Sequence, residues 1–200
     1  MNTLDYVLDK FNIESNNPIR LVFKRDDMAR MFKDLGFKVG AEIGVYQGHY
    51  SESLCIRNPG LKLYCIDPWE TYETNAIDPN STNEKIAHEN YEITKKRLAP
   101  YNCTLIKKTS MEAIKDFEPN SLDFVYIDAN HDKEHVTEDI EEWAKIVRPG
   151  GIVSGHDYGH FKHKDRNLDT KEVINDYVKK HNKQLFLVNR NYQTSWFFCK

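Results

Sequence analysis

Apolar strand-like runs alternate with helix-patterned segments along this chain, and the final two runs stand too close together for a helix to join them. Val39 to Gly44, Leu61 to Ile66, Cys103 to Lys107, Leu122 to Asp128 and Gly151 to Ser154 read as strands. Gln47 to Arg57 and Glu84 to Leu98 read as helices. So does the segment that aligns Val136, Ile140, Trp143, Ala144 and Val147 on one face, with Pro149-Gly150 expected to break it. Such alternation builds a parallel sheet with helices on both faces. The almost wholly apolar run 122–128 suits a sheet centre covered on both sides. After a helix around Lys171 to Lys180, the runs Gln184 to Val188 and Thr194 to Cys199 are separated by a few polar residues. A parallel crossover needs a dozen residues or so, and an antiparallel hairpin needs far fewer. The expectation is an α/β, Rossmann-like, mostly parallel sheet with an antiparallel C-terminal hairpin.

Leu4, Val7, Leu8 and Phe11, then Met28, Met31, Phe32 and Leu35 before Gly36, mark two short amphipathic helices. They are expected to form an N-terminal helical cap, residues 1–35, on a core of residues 36–200, within one domain. Residues 70–82 are polar and rich in turn formers, and Ser110 is a candidate helix cap. The 28 Lys and Arg against 31 Asp and Glu leave a formal net charge of −3, which offers no broad basic face to a nucleic acid. No apolar run reaches bilayer length, and no membrane partner is expected. The first residues lack the basic and apolar regions of a signal peptide. Cys55, Cys65, Cys103 and Cys199 are isolated, without a CxxC pair, as in a protein with reduced thiols. The localisation expected is cytoplasmic, and the oligomeric state is left open.

In open α/β sheets ligands bind beyond the carboxyl ends of the strands. The first strand ends in Glu42-Ile43-Gly44-Val45-Tyr46-Gln47-Gly48, an E-x-G-x-x-x-G pattern. It lacks the third glycine of a dinucleotide fingerprint. Gly44 and Gly48 allow a sharp turn near a ligand, and the next helix offers its unpaired N–H groups there. Asp67 closes the second strand, where an acid can hold both ribose hydroxyls. A nucleoside-type ligand follows.

Glu42 to Gly48, Asp67 and the C-terminal hairpin together resemble a class I S-adenosylmethionine-dependent methyltransferase, whose sheet has seven strands with the last antiparallel. Tyr64-Cys-Ile-Asp-Pro-Trp69, Phe124-Val-Tyr-Ile-Asp-Ala-Asn-His131 and Pro149-Gly-Gly-Ile-Val-Ser-Gly-His-Asp-Tyr158 resemble a small subgroup that accompanies sugar and glycan biosynthesis. The resemblance implies that Glu42, Gly44 and Gly48 line the methionine and ribose part of S-adenosyl-L-methionine. It gives Asp67 the ribose diol, and Pro68 or Trp69 a face of the adenine. It sets Ser110 and Met111 at the adenine edge, and Asp128 near the sulfonium and the methyl acceptor. Core packing is the competing role for Trp69 and Met111.

Methyl transfer is an in-line displacement that the protein mainly aligns. A hydroxyl acceptor must also lose its proton to a base, or have its pKa lowered by a metal. His131 is the first candidate base and His156 the second. The resemblance to metal-dependent sugar O-methyltransferases makes Asp128, His156 and Asp157 candidate ligands of a divalent cation. Those enzymes carry two adjacent acids where this chain has His156-Asp157, and an imidazole favours a softer metal than Mg²⁺, or none. The expected function is methyl transfer to a small hydroxylated acceptor, a sugar or glycoside oxygen. The alternatives are a catalytically silent nucleoside-binding sensor or scaffold, and an N-methyltransferase acting on an amine or a protein side chain. The basic run His160, Lys162, His163, Lys164 and Arg166 reads either as a solvated loop or as an anion clamp, and residues 70–82 as a lid.

Overall fold

A computed structural model describes residues 2–11, 18–71, 83–163, 166–168, 170–188 and 194–200. The proposed lid at 70–82 therefore lies almost wholly outside the described residues, as do the side chains of Lys162, His163, Lys164 and Arg166. The chain runs α1 (Thr3–Lys10), β1 (Ile19–Leu21), α2 (Arg25–Asp34), β2 (Val39–Ile43), α3 (His49–Arg57) and β3 (Lys62–Ile66). It continues through α4 (Glu84–Leu98), β4 (Cys103–Ile106), α5 (Ser110–Ala113), β5 (Leu122–Ile127), α6 (Lys133–Ile146) and β6 (Val147–Gly155). A small hairpin of β7 (Phe161–His163) and β8 (Arg166–Leu168) precedes α7 (Thr170–Lys180), β9 (Phe186–Val188) and β10 (Ser195–Cys199). Among the described residues, no helix is long and apolar enough to cross a membrane.

The main sheet has the order β1-β9-β10-β6-β5-β2-β3-β4. Strand β10 is antiparallel to both β6 and β9, and the other pairs are parallel, as the short final connection requires. The sheet has one strand more than the seven implied by the resemblance. The extra one, β1, pairs in parallel with β9 through Ile19↔Phe186 and Leu21↔Val188. The first 35 residues are thus not purely helical.

Each strand sends alternate side chains to opposite faces. Leu63, Cys65, Phe124, Tyr126 and Phe197 join one apolar cluster with Met28, Phe32 and Leu54 of α2 and α3. Ala41, Ile43, Val125, Ile127 and Phe198 join a second with Ile140, Trp143 and Ile174 of α6 and α7. Trp143 and Phe124 are fully buried, and each such side chain contributes about 1.5–3 kcal/mol.

Two local expectations are corrected. Helix α6 ends at Ile146, before Pro149-Gly150, and that dipeptide sits inside β6, where the register to β5 shifts between Leu122 and Phe124. A bulge absorbs a proline and a positive-φ glycine that a regular ladder would not. The cap of α5 is Thr109, whose side chain accepts the Glu112 N–H while Glu112 accepts the Thr109 N–H. That leaves the Ser110 hydroxyl for another use.

Candidate active site

The ladder continues one step past four strands. Gly44 N–H donates to the Ile66 carbonyl at 2.9 Å, Asp67 N–H to Ile106 at 3.2 Å, Asp128 N–H to Ile43 at 2.8 Å and His156 N–H to Ile127 at 3.0 Å. Backbone pairing therefore sets Gly44, Asp67, Asp128 and His156 in a row along the carboxyl edge. The reversal of strand order falls between β2 and β5, beside Gly44 and Asp128.

Gly44 has φ +85°, and a Cβ there would overlap the Asp128 carbonyl, so only glycine lets the two strand ends close. Gly48, at φ +74°, opens α3. Tyr46 between them is also left-handed, at φ 53°, and exposed. Asp67 holds this loop. Its Oδ2 accepts the N–H groups of Val45 at 3.0 Å and Tyr46 at 2.9 Å, and its Oδ1 accepts that of Trp69 at 2.8 Å. Burial raises the pKa of Asp67 against these three donors. The carboxylate so spent on the loop keeps Oδ1 as its less occupied oxygen.

Trp69 is turned inward. It is buried, packs edge-on against Tyr91 with ring centroids 5.1 Å apart, and donates its indole N–H to the Tyr46 carbonyl at 2.8 Å. This is the core-packing role, and the expected adenine wall at Trp69 gives way to it. Pro68 stays partly exposed beside it. Ser110 donates to Asp139 and accepts from the Trp143 indole at 2.8 Å, tying α5 to α6. Burial lifts the Asp139 pKa to about 6. Met111 is partly buried against the α6-side cluster.

Glu42 is 2% exposed and accepts a hydrogen bond from Ser51. Desolvation pushes its pKa up to about 8, so it is largely protonated at neutral pH. It lies beneath the Gly44 loop, in β2.

The acceptor side gathers all four expected residues, Asp128, His131, His156 and Asp157. Nε2 of His131 is 2.6 Å from Oδ2 of Asp157, and Nδ1 of His156 is 3.2 Å from the same oxygen and 3.8 Å from Oδ1 of Asp128. Burial opposes charge on His131, but the Asp157 hydrogen bond and charge outweigh it, and the pKa is raised. The ring also bonds to the Ala129 carbonyl. Both acceptors favour the protonated ring over the neutral one. Asp157 is partly buried yet drawn below the usual carboxylate range by the two histidines. It sits at φ 52°, a strained position for a non-glycine residue. Burial raises the pKa of Asp128. Ligand atoms of Asp128, His131 and Asp157 lie within 4.8 Å of one another, which suits a metal ion. His131 thus stands in the metal-competent set where His156 was expected.

Sequence reasoning missed Arg25. This first residue of α2 stacks over the Tyr50 ring, 4.3 Å from its centroid, with Nη1 3.5 Å from Oδ2 of Asp128. No sequence periodicity singles out one arginine, and only the packing of α2 on α3 brings it to the sheet edge.

A family model described as a methyltransferase domain matches residues 41–158. The uncharacterized protein y4gI of Sinorhizobium fredii is 23% identical over 120 residues, which are 58% of this chain, and the chain spans only 12% of that protein's length. The fold is similar to that of a candidate caffeoyl-CoA O-methyltransferase from Staphylococcus aureus (12% identity, TM-score 0.66, covering 98% of this chain and 90% of that one). It is also similar to that of an O-methyltransferase from Bacillus cereus in complex with SAH (14% identity, TM-score 0.62, 99% and 90%). The matched stretch runs from β2 through the His156-Asp157 turn and so carries the whole strand-edge row, and the chain belongs to the methyltransferase domain family.

Proposed function

We propose that this chain methylates a hydroxyl oxygen of a small acceptor, a sugar or glycoside, with His156 as general base. The observation that carries the reading is the single carboxylate of Asp157 shared by two histidines at the carboxyl edge. His131, bonded through Nε2 to Asp157 and also to the Ala129 backbone, serves to hold Asp157 in place. His156 faces the carboxylates through Nδ1, which orients Nε2 toward an incoming hydroxyl. This reading ranks His156 ahead of His131, the reverse of the order expected from sequence.

The residues suit the cofactor. The Gly44–Gly48 turn brings bare backbone to the site, Asp67 keeps lone pairs for a ribose diol, and Pro68, Ser110 and Met111 flank the adenine side. S-adenosylmethionine, when bound, supplies a methyl group activated by its sulfonium. Protonated Glu42 sets a neutral floor under that cation, and Asp128 a negative wall beside it.

The donor set Asp128, His131 and Asp157 supports a second reading, in which a divalent cation lowers the acceptor's pKa and His131 is a ligand. Radiolabelled methyl transfer to a panel of sugars, glycosides, amines and peptides, with and without EDTA, separates these possibilities. Oxygen methylation that survives EDTA supports His156. Activity lost to EDTA and restored by Mn²⁺ or Zn²⁺ supports the metal. Cofactor binding without transfer to any acceptor supports the silent-binder alternative.

A further inference from the structure

Arg25 is electrostatically misplaced for its own helix. A cation in the first turn of a helix opposes the macrodipole, which favours anions there. Yet the start of α2 is fixed to α3, because Asp26 accepts hydrogen bonds from Ser53 at 2.6 Å and Arg57 at 2.7 Å. The guanidinium is thereby laid flat on Tyr50, in the first turn of the helix that Gly48 opens. Its nearest carboxylate, Asp128, is 3.5 Å away, beyond the ordinary hydrogen-bond range and short of a bidentate pair. Its side chain remains 36% exposed. The other acid nearby, Glu42, is largely neutral. A planar, stacked donor fork, which also hydrogen-bonds the Tyr126 side chain, is thus held beside Tyr50 and Asp128, outside the matched stretch 41–158, with only part of its five N–H groups engaged.

We infer that Arg25 binds the carboxylate of the cofactor's amino-acid end; the inference rests on the cofactor site proposed above. That carboxylate is the one anionic group of S-adenosylmethionine. The α-ammonium on the same carbon is complementary to Asp128, so an arginine and an aspartate set side by side match an α-amino acid in both charge and spacing. The N-terminal segment, outside the matched stretch, thereby supplies a cofactor-binding residue.

Calorimetry with S-adenosylmethionine and with its decarboxylated form tests this, on the wild type, Arg25→Ala and Arg25→Lys. The wild type should prefer the carboxylated ligand by about tenfold or more. Arg25→Ala should weaken S-adenosylmethionine by about 10- to 100-fold and decarboxylated ligand by less than about twofold, erasing the preference. Arg25→Lys should fall between, since an ammonium keeps the charge without the fork. Equal weakening of both ligands, or a preference that survives in Arg25→Ala, overturns the inference. Should Arg25→Ala not fold, a wild type that fails to discriminate overturns it, and partial loss of preference in Arg25→Lys upholds it. A wild type that binds neither ligand sinks the cofactor site itself, and this inference with it.

Discussion

Asp157 Oδ2 stands 2.6 Å from Nε2 of His131 and 3.2 Å from Nδ1 of His156, so one carboxylate oxygen bridges the ends of β5 and β6. A shared oxygen couples the two rings but does not make them equivalent. His131→Asn removes a brace, whereas His156→Asn removes the proposed proton acceptor. We expect His156→Asn to lower kcat by about 10²- to 10⁴-fold with cofactor affinity retained. His131→Asn should cost less than that, and Asp157→Asn should resemble the worse of the two. Steady-state kinetics alongside cofactor titration checks the order; a larger loss in His131→Asn would return the base to that residue.

Asp67 accepts three backbone N–H groups from Val45, Tyr46 and Trp69. Asp67→Ala strands all three and should destabilise the fold by about 2–4 kcal/mol, since each orphaned donor costs about 1–3 kcal/mol where water does not reach it. Denaturant unfolding reads the loss. A variant as stable as the wild type would mean that the Gly44–Gly48 turn does not depend on this carboxylate.

Glu42 has a folded pKa of about 8 against an ordinary 4.5. The sign follows from linkage. The folded state favours the protonated acid, so stability is lost as pH rises from about 4.5 to about 8 and is level above that. Glu42→Gln, neutral at every pH, should escape this loss. The gap in melting temperature between variant and wild type should widen across that window and then hold constant. Parallel curves across the window would place the Glu42 pKa back in the ordinary range.

Gly44 and Gly48 share a backbone sign but not a setting. At Gly44 an added Cβ meets the Asp128 carbonyl, backbone one step past β5 and pinned by its N–H bond to Ile43. At Gly48 it meets the Thr94 methyl at 3.1 Å, a contact a side chain can relieve. Gly48→Ala should therefore cost about 1–2 kcal/mol, the left-handed penalty alone. Gly44→Ala should cost more than that or prevent folding. Melting temperatures of the pair decide, and equal losses would discount the Asp128 contact.

The central sheet was legible because its strands are long enough, and apolar enough, to declare themselves. Helix α4 runs from Glu84 to Leu98 as its pattern predicts, and the hairpin of β9 and β10 follows from a connection too short for any crossover. Strand β1 was not legible. Three residues, Ile19 to Leu21, carry no period, and they are a strand only because β9 offers a free edge. The same limit applies within the site. Spacing brought Asp128, His131, His156 and Asp157 to one edge, but which histidine keeps a nitrogen for chemistry depends on the Ala129 carbonyl and the Asp157 oxygen. Trp69 shows the opposite case: an aromatic residue at a ligand-facing position by sequence is drawn into the core by one indole hydrogen bond to Tyr46.

The pairing of β1 with β9 also orders events in time. Among the described residues β1 pairs with β9 alone, so its docking on a nascent chain waits until β9 has left the ribosome. The central strands can zip up well before then. A chain stalled ahead of Phe186 would thus carry a paired centre and an undocked β1.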